Sequence, residues 1–462
     1  LEKAMYVQEL KAGKLSKIIL LIGISLGYFM VLLDMTVVSV ALPDIRTDLG
    51  GGLSGLQWVV NAYTIVFAGL MLSMGTIADR FGAKRIFLSG LVIFLAASAV
   101  SAASGSLGEL VAWRAILGIG GAALLPASLT LIVHAFPDSA ERARAMGIWA
   151  AVTGIAMAAG PVVGGVLVDS FGWRSIFLLN IPIAILSLII TSRFIAEAPR
   201  NPGRKLDLAG QTLAIGAIVF MSYGLMEGES ERWGSGPIAA AFGLAALCVV
   251  LFVIVEFRVK SPLLPLRLFR NYTISAGLLA GMLINIGLSG SLFILPLFFQ
   301  QLRGLSAHAA GLALLPMMIP MAFNPILTGR IVGRIGARMP MTAGFALAAL
   351  GALLLLRLDV ESGYAVTSIG LLLLGFGVSF TIPSLMAAVM GSAPKEQSGA
   401  VSGALNASRQ LGATLGVAIL GSIISGSGSF VAGMHVSLLV TTIILVCGSL
   451  LSFAFVGRKA VG

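Results

Sequence analysis

Fourteen apolar runs of roughly twenty residues, separated by short charged or Gly/Pro-rich breaks, fill this 462-residue chain. Runs of that length match a hydrocarbon layer about 30 Å thick at a helical rise of about 1.5 Å per residue. Lipid offers no hydrogen bonds, so a spanning segment must satisfy its own backbone, as a helix does. Composition agrees: 58% of residues are hydrophobic and 11% charged, with mean hydropathy +1.02, where soluble domains carry about 25% charged residues. A cytosolic enzyme, a nucleic-acid binder and a secreted disulfide scaffold are excluded. The expected fold class is an all-α polytopic membrane protein with 14 transmembrane helices.

The polar breaks place spans near 18–42, 56–78, 86–104, 110–134, 144–168 and 174–195, then 208–226 and 237–257, then 272–299, 309–331, 339–358, 363–388, 398–424 and 432–456. Residues 18–195 and 272–456 are expected to form two bundles of six spans each, with 196–271 a linker carrying two extra spans. Residues 1–17 and 457–462 are expected to be a cytoplasmic segment and a cytoplasmic tail. On that orientation the inside segments hold 23 of the 30 Lys and Arg residues. The outside loops hold Arg46, Arg174, Arg232, Arg303 and Arg357, while Arg114 and Arg409 lie within spans. Such a bias puts both ends in the cytoplasm. The net charge of +11 therefore reports orientation, and no nucleic-acid partner is expected. The apolar run after Lys17 is too long for a signal peptide, so the first span is expected to stay in the protein.

Gly75-Thr-Ile-Ala-Asp-Arg-Phe-Gly-Ala-Lys84 recurs as Gly329-Arg-Ile-Val-Gly-Arg-Ile-Gly-Ala-Arg338, an offset of 254 residues, or eight spans. Two repeated halves around an inserted pair would give that offset. Parallel halves related by an axis along the membrane normal are a transporter architecture, with the site at the midplane between them.

Several motifs in order resemble the major facilitator superfamily, specifically its fourteen-helix drug:proton antiporter branch. They are Leu33-Asp-Met-Thr-Val-Val-Ser-Val-Ala-Leu-Pro43 in span 1, Gln57-Trp-Val-Val-Asn-Ala-Tyr63 in span 2 and Gly75 to Arg85 after it. Arg114 to Gly121 in span 4, Gly154 through Gly160-Pro-Val-Val-Gly-Gly165 in span 5, Trp173 to Asn180 and Asn406-Ala-Ser-Arg-Gln410 complete the set. Ser39 stands where Asn is more usual, and the span 4 motif lacks its frequent Gln. The resemblance implies two six-helix halves with a two-helix insertion, and proton-coupled multidrug efflux from the cell membrane, as in a bacterial plasma membrane. It also implies that Asp79 and Arg80 form a cytoplasmic latch with Arg142 or Arg144 that stabilises the outward-open form; Gly333 is the counterpart of Asp79 in the repeat.

Of nineteen acidic residues, Asp34 alone falls deep within a span, about sixteen residues into the first. That depth lies past the midplane toward the outer half. A lone carboxylate there costs roughly 2.5–3.5 kcal/mol on insertion scales and marks an ion path, so Asp34 is expected to face a cavity and exchange a proton. Arg114, early in span 4, is its expected partner, directly or through water. A lipophilic cation and a proton cannot both neutralise one carboxylate, so binding of one favours loss of the other. With no second deep acid, monocationic or neutral lipophiles are the expected cargo. Met30 lies one helical turn before Asp34 and shares its face. Asn61, Tyr63, Asn180, Asn285, Met317, Asn324, Phe376, Phe380 and Asn406 are further candidates for the cavity wall by depth and type. Gly160, Gly164 and Gly165 allow close helix approach, Pro161 permits bending, and Gly412 and Gly416 form a G-x-x-x-G pair in the other half.

Cys248 and Cys447 sit in apolar runs without C-x-x-C spacing and are expected to be inert buried thiols. No metal site, cofactor or hydrolase motif is found; His134, His308 and His435 are scattered, and without a Walker A loop an ion gradient would drive transport. The expected partners are small lipophilic substrates, protons and the lipid bilayer, with the chain a monomer. An exporter of one endogenous lipid, siderophore or antibiotic is the alternative; an importer or a membrane enzyme ranks below both. Arg409 is read as a carbonyl cap beside Asn406 and Gln410, or an anion contact. Glu227, Glu229 and Glu231 are read as solvated first and as a cation attractor second, and the Asn271-Tyr-Thr273 sequon as chance.

Overall fold

The computed structural model describes residues 2–197, 200, 206–259, 262–264, 266–393 and 397–457. Among them every regular element is helical. The N-terminal group comprises α1 (Glu2–Leu49), α2 (Leu53–Phe81), α3 (Ala83–Ala103), α4 (Leu107–Ala135), α5 (Ser139–Phe171), the short α6 (Ser175–Leu178) and α7 (Asn180–Phe194). The inserted pair is α8 (Leu208–Glu227) and α9 (Gly236–Arg258). The last group is α10 (Tyr272–Leu297), α11 (Ala307–Ala313), α12 (Leu315–Ile335), α13 (Arg338–Leu355), α14 (Tyr364–Gly391), α15 (Ser398–Ser425) and α16 (Phe430–Phe455). Fourteen segments are long and apolar enough to cross a membrane, as the sequence expects.

Span 1 differs from its predicted end. The sequence stops it before Pro43, but the helix continues through that proline, and its spanning segment is Lys17–Leu49. A proline costs less in a membrane helix because neighbours re-satisfy the freed carbonyl. Asp34 consequently sits midway along the segment rather than in its outer half.

Small residues set the closest packing. A side chain at Gly160 of α5 would collide with Thr36 of α1, and one at Gly164 would fall 2.6 Å from the Val37 Cγ2. In the other group, positions 412 and 416 of α15 lie against the backbone of Met282 and Ile286 on α10. Helices in lipid associate by such van der Waals contact, because lipid tails are as apolar as the helices themselves.

Within the first group α1 packs on α5 and α7, and α4 on α2 and α3; within the last, α10 packs on α15 and α16, and α14 on α12 and α13. The inserted α8 and α9 pair with each other, and α8 bridges α2 and α15. Asn271 of the sequon caps α10, its Oδ1 accepting from the Thr273 and Ile274 amides at 3.0 and 3.3 Å. The two cysteines are free, Cys248 half-buried and Cys447 exposed on the apolar rim of α16. The expectation of two buried thiols therefore fails for Cys447, whose helix turns that face outward.

Candidate functional site

Asp34 and Arg114 form a direct ion pair inside the first helix group, with 0% and 1% of their side chains exposed. The guanidinium Nη1 donates to Asp34 Oδ2, and Nε donates to the Val59 carbonyl at 3.0 Å. Asn180, at the start of α7, donates from Nδ2 to the other carboxylate oxygen at 3.1 Å and to Ser98 Oγ at 3.2 Å. The Arg114 guanidinium lies 4.6 Å from the centroid of the Tyr63 ring and 6.0 Å from that of Phe177. Tyr63 donates to the Val31 carbonyl at 3.4 Å, and Met30 is fully buried on the same helix. Each oxygen of Asp34 thus has a donor, and the cation is flanked by π faces. A buried charge is tolerated only with such complete pairing, since desolvation costs several kcal/mol per ion.

Two sequence expectations change here. Asp34 does not face an open cavity in this conformation; it is enclosed between α1, α4 and α7. A cargo cation cannot touch it without rearrangement. Tyr63 and Asn180 belong to this charge cluster rather than to a cavity wall.

The other candidates do not converge on one pocket. Asn61 reaches out of its group, donating to the Met226 sulfur of the inserted α8 and to the Thr414 carbonyl of α15, each at 3.2 Å. Asn285 and Asn406 each bond a carbonyl one turn back, Gly281 and Ser402. Asn324 donates to Ser379 Oγ at 2.8 Å, tying α12 to α14. Met317 is buried at the start of α12, while Phe376 and Phe380 are half-buried and stack with centroids 6.4 Å apart.

The two groups are joined at the end where α1 finishes and α2 begins. Gln57 donates to the Val417 and Ala418 carbonyls at 2.8 and 3.0 Å, and Gln300 donates to the Val40 carbonyl at 2.9 Å. Thr414 Oγ1 donates to Thr64 Oγ1 at 3.1 Å. Asp169, near the end of α5, accepts the Ala307 and His308 amides at 3.0 and 2.9 Å and so caps α11 of the opposite group. Gly165 and Gly311 let the backbones meet beside it: a side chain at 165 would fall 2.6 Å from the His308 Cα, and one at 311 would strike the Pro161 carbonyl. That face of the bundle is therefore closed.

At the C-terminal end of α2, Asp79 is half-buried and Arg80 exposed, its guanidinium 5.3 Å from the centroid of the Phe81 ring. Arg142 donates to the Pro137 carbonyl at 3.4 Å. Arg144 is exposed in a shallow cavity of about 200 Å³ beside the ion pair of Lys17 with Glu141. Glu197, which sequence reasoning passed over, clamps the turn after α2: it accepts the Lys84 amide at 2.9 Å and lies 3.9 Å from Arg85 Nε.

Other acids misread or missed by the sequence reading lie on the inserted pair. Glu227, expected to be solvated, instead accepts from Ser54 at 2.5 Å and Trp58 at 2.8 Å, fastening α8 to the N-terminal end of α2. Asp207 and Glu256 are buried together at the far end of the inserted pair, where Asp207 caps α8 and Glu256 accepts the Leu264 amide at 2.9 Å. The acids carry no sequence signal beyond their place at span ends.

Two helix groups closed at one face, with an enclosed ion pair at mid-membrane, define a polytopic membrane protein of the alternating-access transporter fold. The sequence model described as Major Facilitator Superfamily matches residues 24–417, and the chain belongs to that family. It is 40% identical over 414 residues to a methylenomycin A resistance protein of Bacillus subtilis (strain 168), covering 89% of each chain. It is 37% identical over 410 residues to a multidrug resistance protein of Mycobacterium tuberculosis, covering 89% of this chain and 76% of that one. Among solved structures it superposes on a D-xylose-proton symporter with TM-score 0.70 at 16% identity, covering 95% of this chain and 98% of that one. That likeness concerns the fold alone.

Proposed function

We propose that this chain is a proton-coupled exporter of small lipophilic drugs or antibiotics, working by alternating access in a bacterial plasma membrane with both ends of the chain cytoplasmic. The resistance and export proteins to which it is similar support the direction of transport. The observation that carries proton coupling is the enclosed carboxylate of Asp34, held by Arg114 and Asn180. A proton arriving on Asp34 cancels the anion and leaves Arg114 charged without a counterion in a dry site. That state is costly, so α1, α4 and α7 repack, and their new arrangement favours the opposite-facing form. Return of the carboxylate requires proton release on the other side. The protein acts as a monomer with no enzymatic step and no cofactor.

Asp79, Arg80, Arg142 and Arg144 serve as the cytoplasmic latch that holds the outward-open form, while Gly160, Pro161, Gly164 and Gly165 give the smooth contact on which the halves rock. The test is proton release from purified protein on adding drugs of differing charge, with gradient-driven efflux in proteoliposomes. Asp34→Asn should abolish proton release and gradient-driven efflux; full efflux by that variant would refute the coupling. A second reading, export of one particular antibiotic, is favoured by relatives named for methylenomycin A and for cephamycin. Efflux of a single compound from a broad panel would select it.

A further inference from the structure

A second charge within a span, Arg409, lies where both helix groups approach it. Arg409 lies eleven residues into α15, about 17 Å along the helix from its cytoplasmic end. Its stem lies against α10, where a side chain at Gly281 would fall 3.1 Å from the Arg409 Cγ. The side chain is half-buried, its Nε is buried without an acceptor, and no carboxylate pairs with it among the described residues. The group within its electrostatic reach is the Tyr28 phenol of α1, from the opposite helix group. Tyr28 in turn stacks on Trp149 of α5, with centroids 4.9 Å apart and ring planes within 10°. The indole Nε1 of Trp149 is a buried donor with no acceptor, and Gln410 Oε1 beside Arg409 is a buried acceptor with no donor.

Counted from the first residues of their spans, Tyr28 and Arg409 lie about 17 and 14 Å deep, near the middle of a bilayer, and Trp149 is held beside them by its stack on Tyr28. Native proteins leave few buried polar groups unsatisfied, and an unpaired cation at membrane depth is more costly still. The buried donors Arg409 Nε and Trp149 Nε1, without acceptors on helices from both halves and brought together through Tyr28, mark a place where a ligand supplies what the protein omits. A carboxylate matches the guanidinium fork in charge and planar geometry. The Tyr28 and Trp149 rings offer an apolar, aromatic wall for the rest of the molecule. With Asp34 already neutralised by Arg114, no protein anion offsets Arg409 here, and a cationic cargo would meet repulsion.

We propose that Arg409, Tyr28 and Trp149 form the receptor for an acidic lipophile, an aromatic or alicyclic carboxylate whose acid group docks on Arg409. This inference rests on the export reading above and gives its cargo a charge opposite to the sequence expectation. Asp34 carries the proton, Arg409 carries the cargo, and the two charges stay apart.

The experiment compares anthracene-9-carboxylate, its methyl ester and tetraphenylphosphonium in purified, reconstituted protein. Binding is read by quenching of tryptophan fluorescence and transport by gradient-driven efflux. Wild type should bind the acid at least tenfold more tightly than the ester. Arg409→Gln should lose that preference while keeping ester binding, which also shows that the variant folds; Arg409→Lys should restore part of it. Equal affinity for acid and ester, or a preference for the acid that survives Arg409→Gln, would overturn the proposal. Efflux of tetraphenylphosphonium in preference to the acid would overturn it too and leave export intact. If none of the three probes nor any drug of a broad panel moves with the gradient, it is the export reading that fails.

Discussion

Removing the carboxylate of Asp34 while leaving Arg114 should destabilise the protein more than removing both. The pair is fully enclosed, with 0% and 1% exposure, so solvent screening offers no relief. Breaking a buried pair from one side costs roughly 3–5 kcal/mol, whereas replacing both members by groups of similar volume is often near neutral. Asp34→Ala deletes the counterion and leaves the guanidinium with the Val59 carbonyl and two aromatic faces. It also orphans the Asn180 amide, which keeps only Ser98. About 4 kcal/mol lost, at roughly 2–4 °C per kcal/mol for a bundle of this size, lowers the midpoint of thermal unfolding by on the order of 10 °C. Asp34→Ala with Arg114→Met should recover at least half of that, giving a coupling energy of about 2 kcal/mol or more in the double-mutant cycle. The assay is thermal unfolding in detergent by tryptophan emission for wild type, both single variants and the double variant. Additive effects, or an Asp34→Ala protein as stable as wild type, would refute the claim that the two charges act as one buried unit.

Arg114→Ala removes the cation paired with Asp34, so the pH profile of efflux should differ from that of wild type; an unchanged profile in proteoliposomes would sever Arg114 from coupling. Asp79→Asn should shift the population away from the outward-open form, read as greater cysteine labelling from the cytoplasmic side. Asp169→Ala removes the acceptor that caps α11 across the outer face and should raise labelling of outer cavity positions several-fold, with Asp169→Asn intermediate. Glu227→Ala frees Ser54 and Trp58 and should make the loop after α8 more sensitive to added protease, without loss of Asp34-dependent coupling.

The helix count and the Asp34–Arg114 partnership were legible in the sequence because both follow from the cost of burial. A span must be apolar for about twenty residues, and a deep carboxylate must find a cation; only one lone acid and two lone arginines offer themselves. The length of α1 was not legible, since a proline ends helices in water more often than in lipid. Nor were the acids of the outer seal. Asp169 and Glu227 lie at span ends, where a carboxylate in solvent and one bonded to a residue more than a hundred positions away look alike. The candidate asparagines show the same limit: depth and residue type placed them, but whether each turns inward, back on its own helix or across to the other group depends on helix rotation. Asn61 crosses, Asn285 and Asn406 turn back, and Asn180 joins the ion pair.

The geometry also assigns a route between the proton site and the closed face. Asp34 makes no bond across the halves, so its protonation can act on the outer seal only through an element that belongs to both. That element is α1. One face of it carries Asp34; Thr36 and Val37 carry the tight contact with α5 at Gly160 and Gly164; and the Val40 carbonyl accepts Gln300 from the last helix group. Six residues, about 9 Å of helix, separate the carboxylate from that carbonyl. Pro43 lacks the N–H that the Ser39 carbonyl would otherwise accept, so the helix is loosest where the seal is made. A rotation of α1 that relieves an unpaired Arg114 must therefore drag Thr36 across a glycine with no side chain to block it, and tilt Val40 away from Gln300. Coupling needs no chain of communicating side chains under this reading, only one helix that is anchored at its middle by charge and at its outer end by a single carbonyl.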